Sequence, residues 1–176
     1  MPERDTVLLV DESGRPLGPS AKLAAHEAPG RLHLAFSVFL FRGGAVLLQQ
    51  RASTKYHFPG VWANACCSHP GPSEELVDSA RRRLDEELGI EAPLREVGRF
   101  VYRAVDPVSG MVEHELDHVL VGELPEGVEA APDPDEVACV RWVVLDELPG
   151  ALPAPLAPWF GEAFAIALEG RALHPG

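Results

Sequence analysis

Residues 64–70 combine two adjacent thiols with an imidazole and lead directly into a stretch rich in Arg and Glu. An extended backbone alternates its side chains between two faces, so Cys67 and His69 would face one side and Cys66 the other. A thiol and a metal-capable imidazole would then share one cavity. The plainer alternative is two cysteines packed in a core strand beside an incidental histidine, because free cysteine packs like a small hydrophobe.

The length and composition predict a single domain over residues 1–176. A chain of 176 residues with 46% hydrophobic residues is long enough to bury a sizeable core. The formal charge of −12 argues against nucleic acid or an anionic membrane as the main partner. Three cysteines, two of them adjacent, favour reduced thiols in a cytosol. The first residues lack the pattern of a signal peptide, so we expect a cytoplasmic protein, and the oligomeric state stays open.

Hydrophobic alternation predicts a sheet built around residues 32–41, whose even positions are all large and apolar. The turn at Gly43 and Gly44 returns the chain as a second strand over residues 45–50. Further strands are predicted over residues 7–10, 99–105, 112–121 and 137–145, with a loop over 16–19, one helical turn over 21–26 and a terminal helix over 159–168.

Residues 74–87 have the periodicity of an amphipathic helix, with Ser73 as a fair N-cap and Gly89 as a suitable C-terminal stop. A solvated face held by salt bridges is the plain interpretation of its charges. Two i, i+4 pairs carry those charges, Arg82 with Glu86 and Arg83 with Glu87.

Three acids, Glu113, Glu115 and Asp117, share one face of the strand predicted over residues 112–121. Like charges at this spacing repel one another unless they are exposed or held by a cation. The pattern therefore leaves two alternatives, an exposed acidic face and a cation-binding face.

The helix resembles the Nudix box, a diphosphate-handling motif with the pattern G-x5-E-x7-R-E-U-x-E-E-x-G-U, where U is aliphatic. The chain departs from this pattern at Ser68, which replaces the first Gly, and at Arg83, which replaces a catalytic Glu. The matching positions are Glu74, Arg82, Leu84, Glu86, Glu87, Gly89 and Ile90.

A box altered in this way, preceded by Asn64, Cys67 and His69, resembles the type I isopentenyl-diphosphate delta-isomerases. The similarity runs in order from about residue 6 to residue 165. It implies an α/β fold, a Nudix-like α/β/α sandwich with a mixed β-sheet. It also implies an enzyme that interconverts isopentenyl diphosphate and dimethylallyl diphosphate by protonation and deprotonation of the alkene, supplying isoprenoid precursors. Further matching segments are residues 22–26, 31–37, 51–55, 102–104, 113–115 and 158–159.

The resemblance assigns Cys67 and Glu115 to opposite sides of the substrate as the proton-handling pair, in either order. Tyr102 would lie beside Glu115 and pass or orient its proton. Trp159 would stabilise a tertiary carbocation through its π face. Trp62 is either a second aromatic of this kind or a packing residue.

The resemblance also implies two metal sites and a cationic clamp for the diphosphate. One site would hold Mn²⁺, Zn²⁺ or Mg²⁺, and in the other Glu87 would hold a Mg²⁺ that bridges the diphosphate. The ligands implied for the first site are His26, His33, His69, Glu113 and Glu115. The clamp cations implied are Lys22, Arg51, Lys55 and Arg83. No role is implied for His57, His114 or His118.

Two other functions remain open. One is a Nudix hydrolase acting on a nucleoside or prenyl diphosphate, which Arg83 in place of Glu disfavours. The other is a catalytically silent metal- or phosphate-binding module, which would need neither Cys67 nor Tyr102. A flavin-dependent isomerase is disfavoured because no glycine-rich dinucleotide motif follows a strand.

Overall fold

A computed structural model of the chain describes residues 5–173, so the prediction about a signal peptide falls largely outside the described part. Within residues 5–173, nine strands form one mixed sheet, and three α-helices accompany it. In chain order the elements are β1 Thr6–Val10, β2 Pro16–Ala21, α1 Lys22–His26, β3 His33–Arg42, β4 Ala45–Arg51, β5 Trp62–Asn64, β6 Cys66–Ser68, α2 Leu76–Leu88, β7 Arg95–Val105, β8 Val112–Glu123, β9 Val137–Val144 and α3 Phe160–Leu173.

Strand β3 is the centre of the sheet. It pairs in parallel with β8 and antiparallel with β4 and β6. Its side chains are buried on both faces, which explains why this predicted strand is apolar almost throughout. Phe39 and Phe41 pack against α3, while Phe36, Val38 and Leu40 pack against α2. The predicted α/β/α sandwich is therefore confirmed.

The prediction of a loop over residues 16–19 is wrong. These residues belong to β2, which pairs antiparallel with β1. Because β2 lies at the edge of the sheet, it can contain Pro16 and Pro19. An edge strand needs backbone hydrogen bonds on one side only, so a proline whose nitrogen faces outward breaks none of them.

Helix α2 ends at Gly89 as predicted, with this glycine in the left-handed conformation at φ 62°. The predicted N-cap at Ser73 is wrong, because the helix begins at Leu76 and Glu75 occupies the N-cap position without a side-chain cap. The carboxylate of Glu74 instead accepts a hydrogen bond from the backbone amide of Gly71 at 2.8 Å, and this bond holds residues 71–74 in a turn. In the described part of the chain, no helix is both long and apolar enough to cross a membrane.

Candidate active site

Three imidazoles and two carboxylates converge where β3 and β8 begin. One ligand atom from each residue lies within 4.8 Å of all the others. The parallel register of β3 and β8 puts His33 directly beside Glu115, and the alternation of β8 brings Glu113 to the same face. The end of α1 and the residue after β6 supply the other two imidazoles. The cluster consists of His26, His33, His69, Glu113 and Glu115.

Backbone carbonyls fix the tautomer of two of these imidazoles. The Nδ1 atom of His26 donates to the carbonyl of Lys22 at 2.7 Å, and the Nδ1 atom of His33 donates to the carbonyl of Arg31 at 2.8 Å. A neutral imidazole that donates from Nδ1 keeps a lone pair on Nε2, and both Nε2 atoms face the cluster. Metal-binding histidines are commonly oriented in this way. The donor set therefore fits a divalent cation.

The pKa values of the three acids on β8 are shifted in different directions. Burial alone would raise the pKa of Glu113 and of Glu115, but the interactions with neighbouring imidazoles outweigh it and leave both pKa values below the ordinary range. Burial, together with the charge of Glu115, raises the pKa of Asp117 well above its usual value. Of the two alternatives for this acidic face, the structure thus favours the one that binds a cation, because all three acids are buried.

An inner cavity of about 20 Å³ lies next to this cluster. It is lined by all four residues that the resemblance placed around the alkene, namely Cys67, Glu115, Tyr102 and Trp159. The hydroxyl of Tyr102 donates a hydrogen bond to Oε2 of Glu115 at 2.5 Å. The structure therefore brings the predicted proton-handling residues to one cavity.

The two cysteines face opposite sides of the sheet, as the alternation predicts. Cys67 and His69 both line the inner cavity, whereas Cys66 is fully buried in the apolar cluster beneath α2. Burial raises the pKa of the Cys67 thiol, so the group carries its proton at neutral pH. Trp62 packs against the apolar cluster on the α3 side, in line with a packing role.

An outer cleft of about 720 Å³ adjoins the cluster, and His69 lines both spaces. Three of the four predicted clamp cations line this cleft: Lys22, Lys55 and Arg83. Arg51 instead lines the inner cavity, where its guanidinium donates to the carbonyls of His57 and Phe58, each at 3.1 Å. The structure therefore divides the predicted clamp between two neighbouring spaces.

Glu87 lies apart from the five-residue cluster. Its carboxylate accepts hydrogen bonds from Arg83 at 2.6 Å and from Gln49 at 3.2 Å. Arg83 also contacts Glu86 at 2.8 Å and Glu136 at 3.6 Å. Glu87 thus lies beside Arg83, a cation that lines the outer cleft. This position is compatible with a second metal site, and the role of Glu87 as a ligand stays a prediction.

Several residues in contact with the site were not assigned to it from sequence. His57 is buried against Glu113, and Glu136 forms an ion pair with Lys55 at the outer cleft. Both lie in loops that tertiary structure brings to the site, so no periodic pattern could reveal them. Asp117 accepts a hydrogen bond from Ser37 Oγ at 2.7 Å, and its position on the acidic face of β8 was a signal that could have identified it.

Comparison with known proteins first defines the class. The NUDIX domain family matches residues 31–165 of the chain. Among solved structures, a protein from Deinococcus radiodurans has a TM-score of 0.66 at 19% identity, covering 92% of this chain and 96% of that one. A MutT NUDIX hydrolase from Burkholderia pseudomallei has a TM-score of 0.60 at 24% identity, covering 77% and 97%. The chain has a NUDIX domain, and its His/Glu cluster has a donor set that fits a divalent metal ion.

Curated relatives define the family more narrowly. An isopentenyl-diphosphate Delta-isomerase from Nocardia farcinica is 52% identical over 165 residues, covering 92% of this chain and 93% of the relative. One from Rhodobacter capsulatus is 50% identical over 147 residues, covering 81% and 82%. The chain belongs to the isopentenyl-diphosphate Delta-isomerase family.

Proposed function

We propose that this protein interconverts isopentenyl diphosphate and dimethylallyl diphosphate. The observation that carries the proposal is the cavity lined by both Cys67 and Glu115, which adjoins the cluster of three imidazoles and two carboxylates. A proton carrier on each side of an alkene is what movement of a double bond requires. Family membership supports the same reaction.

The reaction needs a proton to be delivered and another to be removed. Protonation of the terminal alkene carbon leaves a tertiary carbocation, and loss of a proton from the carbon on its other side forms the isomeric double bond. Cys67 and Glu115 would perform these two steps in either order, and the Tyr102 hydroxyl would orient the proton at Oε2 of Glu115. A thiol that keeps its proton at neutral pH suits the acid role.

The carbocation must be stabilised and kept from water. Trp159 lines the inner cavity and is only 3% exposed, so its ring can act in a desolvated space, where a cation–π contact is worth about 2 kcal/mol. The residues that face this space would exclude water while the cation exists.

The five-residue cluster would hold Mn²⁺, Zn²⁺ or Mg²⁺, because its imidazoles suit Zn²⁺ and its carboxylates suit Mn²⁺ and Mg²⁺. A bound divalent cation supplies positive charge beside Glu115 and stabilises its ionised form. Glu87 would contribute a ligand to a second site, where a Mg²⁺ would supply positive charge for the diphosphate. Its neighbour Arg83 would contact the same diphosphate.

The outer cleft would bind the diphosphate through Lys22, Lys55 and Arg83, and Arg51 would contribute from the inner cavity. This local cluster of cations suits an anionic ligand despite the formal charge of −12 on the chain. Lys55 and Arg83 also pair with Glu136, so the diphosphate would compete with that carboxylate for the two cations. A hydrolase would need a carboxylate at residue 83 to hold metal, whereas Arg83 binds phosphate and leaves the diphosphate bond intact.

Incubation of the purified protein with isopentenyl diphosphate and Mg²⁺ in D₂O, followed by proton NMR, tests the proposal. We expect dimethylallyl diphosphate that carries deuterium, and a large loss of the reaction in Cys67→Ala. Release of inorganic phosphate without isomer would identify a hydrolase. Binding of the substrate with neither product would identify a binding module.

A further inference from the structure

We propose that Asn64 is a positioning residue that holds the side chains of Cys67 and Trp159 in fixed relative positions through a single amide oxygen. Asn64 ends β5 and is fully buried, and no step described above uses it. The proposal rests on the proposed isomerase function, because it concerns how the proton carrier and the cation-stabilising ring are aligned.

The orientation of the Asn64 amide follows from its hydrogen bonds. Its Nδ2 atom donates to the backbone carbonyls of Val38 at 3.1 Å and Cys66 at 2.9 Å. Carbonyl oxygens only accept hydrogen bonds, so the amide nitrogen must face them and the amide oxygen must point the other way. These two bonds also anchor the side chain to the central strand β3 and to β6.

The amide oxygen points at two groups of the inner cavity. It accepts a hydrogen bond from the indole Nε1 of Trp159 at 3.2 Å and one from the Sγ atom of Cys67 at 3.1 Å. An indole N–H can only donate, so this pairing has no alternative orientation. One oxygen atom therefore contacts both the Cys67 sulfur and the indole nitrogen and holds the two groups in place relative to each other.

This arrangement matters for a reaction in which two groups act on neighbouring carbons of one small chain. If the proton carrier and the cation-stabilising ring each rotated freely, aligning both would cost entropy in every reaction cycle. Groups that are already held in place avoid this entropic cost. Three of the four clamp cations lie elsewhere, at the outer cleft, and only Arg51 lines the inner cavity. Loss of the Asn64 amide should therefore lower kcat and leave KM nearly unchanged.

A purely structural role would also explain a buried amide, so the test needs a matched control. Gln50 provides one, because its amide donates to the backbone carbonyl of Gly60 at 3.0 Å and it is only partly buried on β4. We expect Asn64→Leu to lower kcat by about 10- to 100-fold with less than a threefold change in KM, and Gln50→Leu to leave both near wild type. Both variants should retain metal and affinity for inorganic pyrophosphate.

Two spectroscopic measurements test the hydrogen bonds themselves. The chain has three tryptophans, so a ¹⁵N-labelled sample gives three indole resonances, and Trp159→Phe assigns one of them. In Asn64→Leu that resonance alone should shift strongly. The infrared S–H band of Cys67, assigned by subtracting the Cys67→Ala spectrum, should show a hydrogen-bonded thiol in the wild type, and this measurement remains informative if Asn64→Leu does not fold.

Several results would overturn the proposal. A folded Asn64→Leu variant with wild-type kcat would do so while leaving the isomerase function intact. Equal losses of kcat in Asn64→Leu and Gln50→Leu would reduce Asn64 to a structural residue. A free-thiol S–H band in the wild type would remove the contact with Cys67. A wild-type protein without isomerase activity would instead reject the proposed function and, with it, the inference.

Discussion

The two carboxylate oxygens of Glu115 have different partners. Oε2 accepts the hydrogen bond of Tyr102 at 2.5 Å, whereas Oε1 lies 2.8 Å from Nε2 of His69, inside the metal-ligand cluster. The antiparallel register of β7 and β8 puts Tyr102 directly opposite Glu115, so the arrangement follows from strand pairing. One side chain thus connects the metal site to the inner cavity.

Tyr102→Phe separates these two connections. The substitution keeps the ring and removes the hydroxyl at Oε2, so we expect isomerase turnover to fall by about 10²-fold, the lower end of what a positioned proton-transfer group contributes. The metal content should stay at the wild-type level, because Oε1 keeps its imidazole partners. Turnover and metal content measured on the same preparation check the prediction, with Tyr56→Phe at the outer cleft as a control with a smaller loss. Loss of metal in Tyr102→Phe would contradict it.

The two cysteines should respond differently to substitution. Cys67→Ala removes a proton carrier outright and should reduce isomerase turnover by about two to four orders of magnitude, while metal content and pyrophosphate affinity are retained. Cys66→Ala affects only the apolar cluster under α2 and should lower the free energy of unfolding by about 1 kcal/mol with near-normal turnover. An inactive Cys66→Ala beside an active Cys67→Ala would mean that the other thiol serves the reaction.

Removal of one imidazole from the cluster should release the metal. His33→Ala deletes a ligand whose tautomer is fixed by the Arg31 carbonyl, so we expect substoichiometric metal in the purified variant and a lower melting temperature. His118→Ala is a matched control, because His118 lies on the opposite face of β8 and contacts Glu96. Elemental analysis after gel filtration measures the difference. Full metal occupancy in His33→Ala would show that this histidine is not required for binding.

Arg83 should contribute to diphosphate affinity. Arg83→Gln removes a charge-assisted bond to an anionic ligand and should weaken pyrophosphate binding by about 1.5–3 kcal/mol. Arg81 lies on the same helix and forms an exposed ion pair with Asp78. Arg81→Gln should therefore have little effect on pyrophosphate affinity. Calorimetric titration with Mg²⁺ pyrophosphate compares the two variants. Equal affinities for both would exclude Arg83 from the clamp.

The turn before α2 should be sensitive to acid. Hydrogen bonds from Arg82 outweigh burial and lower the pKa of Glu74 from 4.5 to about 2. A carboxylate with a depressed pKa contributes stability that is complete above its unfolded pKa and is lost as the pH falls through the folded value. We therefore expect a loss on the order of 1 kcal/mol between about pH 4.5 and pH 2 that Glu74→Gln abolishes.

Urea unfolding of wild type and Glu74→Gln across that pH range measures this loss. Asp78→Asn is the control, because Asp78 lies in the first turn of α2 and its side chain is 75% exposed. Parallel acid profiles for wild type and Glu74→Gln would show that the pair with Arg82 does not carry the effect.

Local periodicity accounts for what the sequence could predict. The strand at β3, the helix at α2 and the opposed thiols of Cys66 and Cys67 all follow from side-chain spacing, which needs no knowledge of distant contacts. The helix start was placed too early because Glu74 pairs with Arg82 instead of entering the first turn. A capping residue is recognised from its neighbours, whereas this pairing depends on how the preceding turn folds.

Positions set by loops could not be predicted in the same way. His57 and Glu136 reach the site through segments without a repeating pattern, and Arg51 enters the inner cavity because its guanidinium binds the carbonyls of the loop that follows it. Similarity to a family indicates which residue types belong to a site. It does not indicate which of two adjoining spaces each side chain occupies.

The parallel pairing of β3 with β8 has a consequence for how the chain folds. Ser37 and Asp117 on these strands lie 80 residues apart in the sequence, so their contact closes a long loop. The entropy of that closure is lost before the strands gain their hydrogen bonds, and pairings of this kind form slowly. His33 and Glu115 meet only through this pairing, so the cation has no complete binding site until folding is nearly finished. Metal uptake during refolding should therefore coincide with the final kinetic phase.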